Sequence, residues 1–191
     1  MCIPGKKNVF FGGKRHFFAI FVYETMKKIG LLSDTHGWWD ERYGKHFAEC
    51  DEIWHAGDIG SMDVVERLQA IAPLRAVYGN IDGGDIRRIF TEKYRFRCEE
   101  VEVLMTHIGG YPGRYDARIR PTLFTHPPQL FISGHSHILK VMYDKQLGCL
   151  HINPGAAGIQ GFQTVRTLVR FVIDGKEIKD LEVIELRPAG A

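Results

Sequence analysis

The sequence lacks most of the signatures that assign a class at sight. Its four cysteines, Cys2, Cys50, Cys98 and Cys149, are scattered with no C-x-x-C spacing, so neither a zinc ribbon nor a disulfide framework is indicated, and that usage fits a reducing cytoplasm. No apolar run approaches the roughly 18 residues of a membrane span. There is no G-x-S-x-G, no G-x-x-x-x-G-K and no G-x-G-x-x-G, which removes the serine-hydrolase elbow and the common phosphate-cradling loops. Charge of one sign is also missing. Of the net +2, residues 1–25 carry +3 (Lys6, Lys7, Lys14 and Arg15 against Glu24), leaving −1 for the rest. The body therefore offers no basic groove for nucleic acid.

What is present is globular in balance: 191 residues, 45% hydrophobic and 25% charged, enough for a domain that builds its own core. Residues 1–25 stand apart. Phe10-Phe11 and the apolar, aromatic stretch from Phe17 to Tyr23 form a basic, aromatic segment without periodicity. It superficially resembles a signal peptide, yet no small-residue cleavage site follows. The expected division is an N-terminal extension over 1–25, with Met26 as an alternative start, and a single domain over 26–191.

From Lys28 the pattern becomes regular. Short apolar runs at 29–33, 52–55 and 75–78 read as buried strands, and they stop at Asp34, at Gly57-Asp58 and at Gly79-Asn80. Helices are expected over 40–49 and 62–71, the second capped by Ser61 and closed by Pro73. Strands alternating with helices predict a parallel arrangement in this half. The second half is strand-rich, with runs at 101–106, 130–133, 138–143, 149–152, 167–173 and 178–186 and a hairpin turn at Asp174-Gly175. Helix is expected there only within 114–126, where Pro121 must start, break or kink it.

Polar residues gather at the ends of the apolar runs: Asp34-Thr35-His36, Asp58, Asn80, His107 and Gly134-His135-Ser136-His137. Ligands of α/β sheets collect where loops leave the carboxyl ends of strands. Sharing one rim, these loops would present two Asp, one Asn and four His, a donor set suited to divalent manganese, iron, nickel or zinc without any thiolate. Glycines at 57, 79 and 134 would let backbones approach closely.

In this order the elements D-x-H, G-D, G-N, H and G-H-x-H resemble the calcineurin-like metallophosphoesterase superfamily, and the wording His55-Ala56-Gly57-Asp58 is similar to its small bacterial and archaeal phosphodiesterase branch. The resemblance implies an α/β fold, a four-layer α/β/β/α sandwich of two mixed sheets, and two divalent metal ions, manganese first. Asp34, His36 and His137 would hold one metal, and Asn80, His107 and His135 the other. Asp58 would bridge both, making Asp58 and Asn80 the catalytic pair. The implied reaction is hydrolysis of a small or nucleotide-like phosphoester by a hydroxide bridging the metals. The alternative is a non-catalytic protein-binding scaffold of the same fold, resembling a retromer-type subunit. His55, Asp82 and Arg114 are candidates for supporting the ligands or touching substrate, whereas His151 and Asn153-Pro154-Gly155 are expected to be structural. Where the wider family carries His after Gly-Asn, this chain has Ile81, which leaves the proton donor to the leaving group unassigned. No membrane association is expected; a homo-oligomer is left open.

Overall fold

The runs that stop at polar residues do become strands, buried except that the one expected at 75–78 forms over 74–76 and is half-buried. In this computed structural model residues 26–187 are described, together with the backbone of β1 (Lys6–Asn8) and β2 (Phe21–Tyr23), which pair antiparallel. The extension expected over 1–25 otherwise lies outside the described residues. In the first half, β3 (Lys27–Leu32), α1 (Arg42–Phe47), β4 (Glu52–His55), α2 (Met62–Ile71), β5 (Leu74–Ala76) and α3 (Gly84–Ile89) follow in turn. Ser61 Oγ accepts the Val64 amide at the start of α2, a side-chain cap for an otherwise unpaired N–H. Helix α1 is shorter than the expected 40–49: Asp40 stands before it, accepting the Arg42 amide at 3.0 Å and pairing with Arg42 and Arg166, both at 2.7 Å.

The second half runs β6 (Lys93–Cys98), β7 (Val101–Thr106), β8 (Gly110–Tyr111), β9 (Arg114–Tyr115), α4 (Arg120–Thr125), β10 (Leu130–Ile132), β11 (Leu139–Asp144), β12 (Cys149–Pro154), β13 (Thr167–Asp174) and β14 (Glu177–Glu185). One expectation needs correcting here: Arg114 is not helical. It closes the small hairpin β8–β9, and the helix begins six residues later, with Pro121 in its first turn, where a missing N–H costs nothing.

Two five-stranded mixed sheets result, in the orders β14-β13-β3-β4-β5 and β11-β12-β10-β7-β6. Strands β3, β4 and β5 are parallel, as are β7, β10 and β12, while the pairings β3–β13, β13–β14, β6–β7 and β11–β12 are antiparallel. Alternation along each strand sorts side chains between layers. Ile29, Leu31 and Trp54 from one sheet meet Val103, Met105 and Ile132 from the other in the central core. Leu32, Ile53 and Leu168 point the opposite way, toward α1 and α2, and Leu104 and Phe131 point toward α4. The order of layers is thus α/β/β/α. Among the described residues no helix is long and apolar enough to cross a membrane, and Cys50, Cys98 and Cys149 are free.

Candidate metal centre

Parallel pairing of β3 with β4 and of β7 with β10 puts their carboxyl ends at the same edge of each sheet, and the loops leaving them meet in one cleft. Two clusters of donor atoms form there, Asp34 with His36 and His137, and Asp58 with His107 and His135, the donors in each lying within 4.8 Å of one another. His36 Nε2 lies 3.2 Å from His137 Nε2, His137 Nε2 lies 3.2 Å from Asp34 Oδ1, and His107 Nε2 lies 3.2 Å from Asp58 Oδ2. Donors about 2.0–2.1 Å from one tetrahedral ion stand roughly 3.3 Å apart. The clusters also touch: Asp58 Oδ2 is 3.8 Å from His36 Nε2, and Asp34 Oδ1 is 3.9 Å from His107 Nε2.

The ring orientations leave Nε2 for the cleft. His107 Nδ1 donates to the Ala56 carbonyl at 2.8 Å and His137 Nδ1 to Gln163 Oε1 at 2.9 Å, which fixes the tautomer and turns each remaining lone pair inward. His107 Nε2 and Asp34 Oδ1 are buried and have no hydrogen-bond partner. Buried polar atoms are ordinarily satisfied, so two orphaned acceptors facing one space fit a bound cation. The field agrees. The Asp34 carboxylate beside its ring lifts His137 to about 9, and in His107 burial is outweighed by Asp58 and Asp34, so that its affinity for a proton also rises.

The backbone is bent to make this arrangement. Asp34, His36, Asp58, His135 and His137 all have φ between 49° and 68°, the left-handed region that residues with a Cβ seldom enter. Glycine is required where strands crowd the carboxylates. A Cβ on Gly79 would collide with the Asp58 carboxylate, and one on Gly134 with the Ser33 hydroxyl.

Asp82 and His55 hold the loops. The Asp82 carboxylate accepts the amides of Gly79 at 2.7 Å, Gly60 at 2.7 Å and Ile59 at 3.2 Å, tying the loop after β5 to the loop after β4. Gly57 donates its amide to His55 Nδ1 at 3.1 Å, so the ring proton sits on Nε2 and goes to Thr35 Oγ1 at 2.9 Å, which in turn donates to the Ile59 carbonyl. Burial pushes His55 down to about 4, keeping it neutral. Both ring nitrogens of His55 are committed and it has no exposed surface, and Asp82 is buried as well, so both brace the loops that carry the donors.

Asn80 lies on the exposed loop after β5 and, with His107, lines a cavity of about 190 Å³; next to it the Ile81 amide donates to Asp58 Oδ1 at 3.1 Å. Arg114 is exposed and shares a different cavity with His135. Asn153 Nδ2 donates to the Gly134 carbonyl at 2.7 Å and to Ser136 Oγ at 3.1 Å, and His151 Nε2 lies 3.0 Å from Ser133 Oγ; both brace the 133–137 loop. Sequence reasoning missed Gln163, and no local signal marks it, because its partner His137 is 26 residues away.

The family description for the calcineurin-like phosphoesterase superfamily domain matches residues 26–176. The chain belongs to that superfamily. A protein of Methanothermobacter thermautotrophicus named "Probable metallophosphoesterase" is 30% identical over 166 residues, covering 82% of this chain and 91% of that protein. Among solved structures, Vacuolar Protein Sorting 29 from Cryptosporidium parvum superimposes with a TM-score of 0.70 at 19% identity, over 85% of this chain and 92% of that one. An archaeal phosphodiesterase gives 0.62 at 23% identity, over 83% and 99%. These two likenesses show the fold; the superfamily's divalent-metal chemistry fits the two clusters.

Proposed function

We propose that the chain is a phosphodiesterase for small or nucleotide-like esters and works with two divalent ions, manganese first and iron, nickel or zinc as alternatives. The observation that carries this reading is the pair of donor clusters joined through Asp58, with buried Asp34 Oδ1 and His107 Nε2 left unpartnered. Asp34, His36 and His137 would hold one ion, and Asn80, His107 and His135 the other, with Asp58 reaching both. When bound, two such ions supply a hydroxide nucleophile near neutral pH and offset charge on the phosphoryl oxygens. The chain's own residues do the positioning that in-line attack needs. Nδ1 protons on His107 and His137 stay with their backbone and Gln163 partners. Asp82 and His55 keep the loops after β3, β4 and β5 in register, and the Ile81 amide holds Asp58 Oδ1.

Ile81 stands on the rim with 47% of its surface exposed and cannot donate a proton. The leaving groups favoured are therefore those that need none, such as aryl oxides. The scaffold alternative rests on likeness of fold, while here every carboxylate and imidazole of the donor set is in place, so turnover separates the two readings. The domain at 26–191 would be the catalytic unit, acting in a reducing cytoplasm. Metal-reconstituted protein assayed on a panel of phosphomonoesters and phosphodiesters is expected to hydrolyse aryl diesters fastest. No turnover on any member of the panel would favour the scaffold.

A further inference from the structure

Beside His135 opens a cavity of about 460 Å³, within the range of small-molecule sites. One wall is the β8–β9 hairpin, which pairs Tyr111 with Arg114 across its turn. The other is β11, whose Lys140 places its ammonium 3.4 Å from the centre of the Tyr111 ring, an attraction that draws the cation over the cavity. Neither Arg114 nor Lys140 has a carboxylate partner among the described residues. The one carboxylate in the lining, Asp116, is held by its neighbour Arg118 through bonds of 2.9 and 3.3 Å, so it does not neutralise them. The inner wall includes His151, fully buried, whose Nδ1 has no hydrogen-bond partner. The other cavity beside His135, lined also by His137, Gly161, Phe162 and Gln163, holds neither lysine nor arginine.

Resting on the phosphodiesterase reading, we infer that the Arg114–Lys140 cavity receives one arm of the diester and selects arms carrying a second anionic group, a phosphate or a carboxylate. A phosphoryl group bound at the metal centre by His135 would leave that arm facing two unpaired cations. Anion and guanidinium or ammonium pair strongly when neither already has a partner. Arg114 and Lys140 are thus specificity residues rather than catalytic ones.

The test uses mixed p-nitrophenyl diesters that share a leaving group and differ in the second alcohol, which ends in a phosphate, a carboxylate or a neutral hydroxyl at equal length. Anionic arms are expected to lower KM at least tenfold with little change in kcat, and the better of the two names the preferred anion. Arg114→Gln and Lys140→Met are each expected to raise KM for the anionic substrates at least tenfold more than for the neutral one. Equal KM values for anionic and neutral arms, or variants that affect both alike, would overturn the inference while leaving phosphodiesterase activity standing. Failure to hydrolyse any diester would instead count against the functional reading. In that event calorimetric titration of the metal-free protein with inorganic phosphate still decides: binding that Arg114→Gln weakens supports the cavity's role, and binding that both variants leave intact contradicts it.

Discussion

The core between the sheets and the rim above it are built on opposite rules. Between the sheets, Trp54 meets Phe96 and Phe171 edge-on at 5.0 and 5.6 Å, its indole N–H is bonded to Glu52, and each strand sends apolar side chains where its alternation directs them. At the rim, five of the seven non-glycine residues with positive φ and two of the three orphaned buried side-chain atoms of the described residues fall in one cleft. Each left-handed residue costs of order 1 kcal/mol. A fold tolerates such local conflict where the surrounding structure overrides it and a ligand resolves it. The contrast teaches that stability resides in the sheets and chemistry in the loops they hold together.

The widest gap should open between two substitutions. Asp58→Asn is expected to bring turnover to background and to cost at least one bound ion, because an amide reaches two cations poorly, while the melting temperature of the metal-free protein changes little. Trp54→Ala should do the reverse, costing about 3–5 kcal/mol in denaturant unfolding while metal content per folded chain stays normal. If Trp54→Ala removed metal as completely as Asp58→Asn, the division between core and rim would be wrong.

A gain of function sharpens the comparison from the other side. General acid help is typically worth about 10²–10⁴-fold, and Ile81 withholds it. Ile81→His should raise rates for alkyl diesters at least tenfold more than for aryl diesters. Equal effects on both classes would show that another group already supplies the proton. Smaller effects belong to the residues behind the ligands. His55→Ala should weaken metal binding about 10–100-fold, measured by competition with a chelator, since residues that orient ligands contribute on that scale. Unchanged affinity would place His55 in the core rather than in the service of the rim.

A last effect is a pH dependence. Burial, with Lys140 adding to it, pushes His151 from 6.5 down to about 4. Above 6.5 both folded and unfolded chains hold it neutral, and it contributes no pH dependence. Between 6.5 and 4 the unfolded chain binds the proton and the folded chain does not, so stability falls as pH falls, by about 1.4 kcal/mol per unit. His55, also held near 4, adds a like slope over the same window, so in urea unfolding of the metal-free protein His151→Phe should lessen the pH dependence by about 1.4 kcal/mol per unit without abolishing it.

Much of this was legible from residue order alone. Strands end where Asp34, Asp58, His107 and His135 begin, and Ser61 marks its helix, because burial and capping act on neighbours in sequence. Strand β6 was missed although Tyr94, Phe96 and Cys98 alternate with Lys93, Arg95 and Arg97; charge on its other face hid a sound period of two. Helix α3, with six residues, is too short for a period to show. Arg114 was misplaced because a helix was extended back through a segment that Gly110 and Gly113, both at positive φ, turn into a hairpin. Asp82 was a candidate for supporting the ligands, but the amides it gathers were not legible, and Gln163 was not legible at all. Two of the three amides at Asp82 and the ring at Gln163 come from 22 to 26 residues away, and nothing local distinguishes a carboxylate that gathers three amides from one that faces water.

The central claim is that two ions, joined through Asp58, make this rim a phosphodiester hydrolase. Titrating the chelator-treated protein with Mn²⁺ while following hydrolysis of bis(p-nitrophenyl) phosphate tests it most directly. The account predicts no rate without metal and a rate that rises to a plateau at two equivalents per chain. A plateau at one equivalent, or metal that binds without producing any turnover, would contradict it.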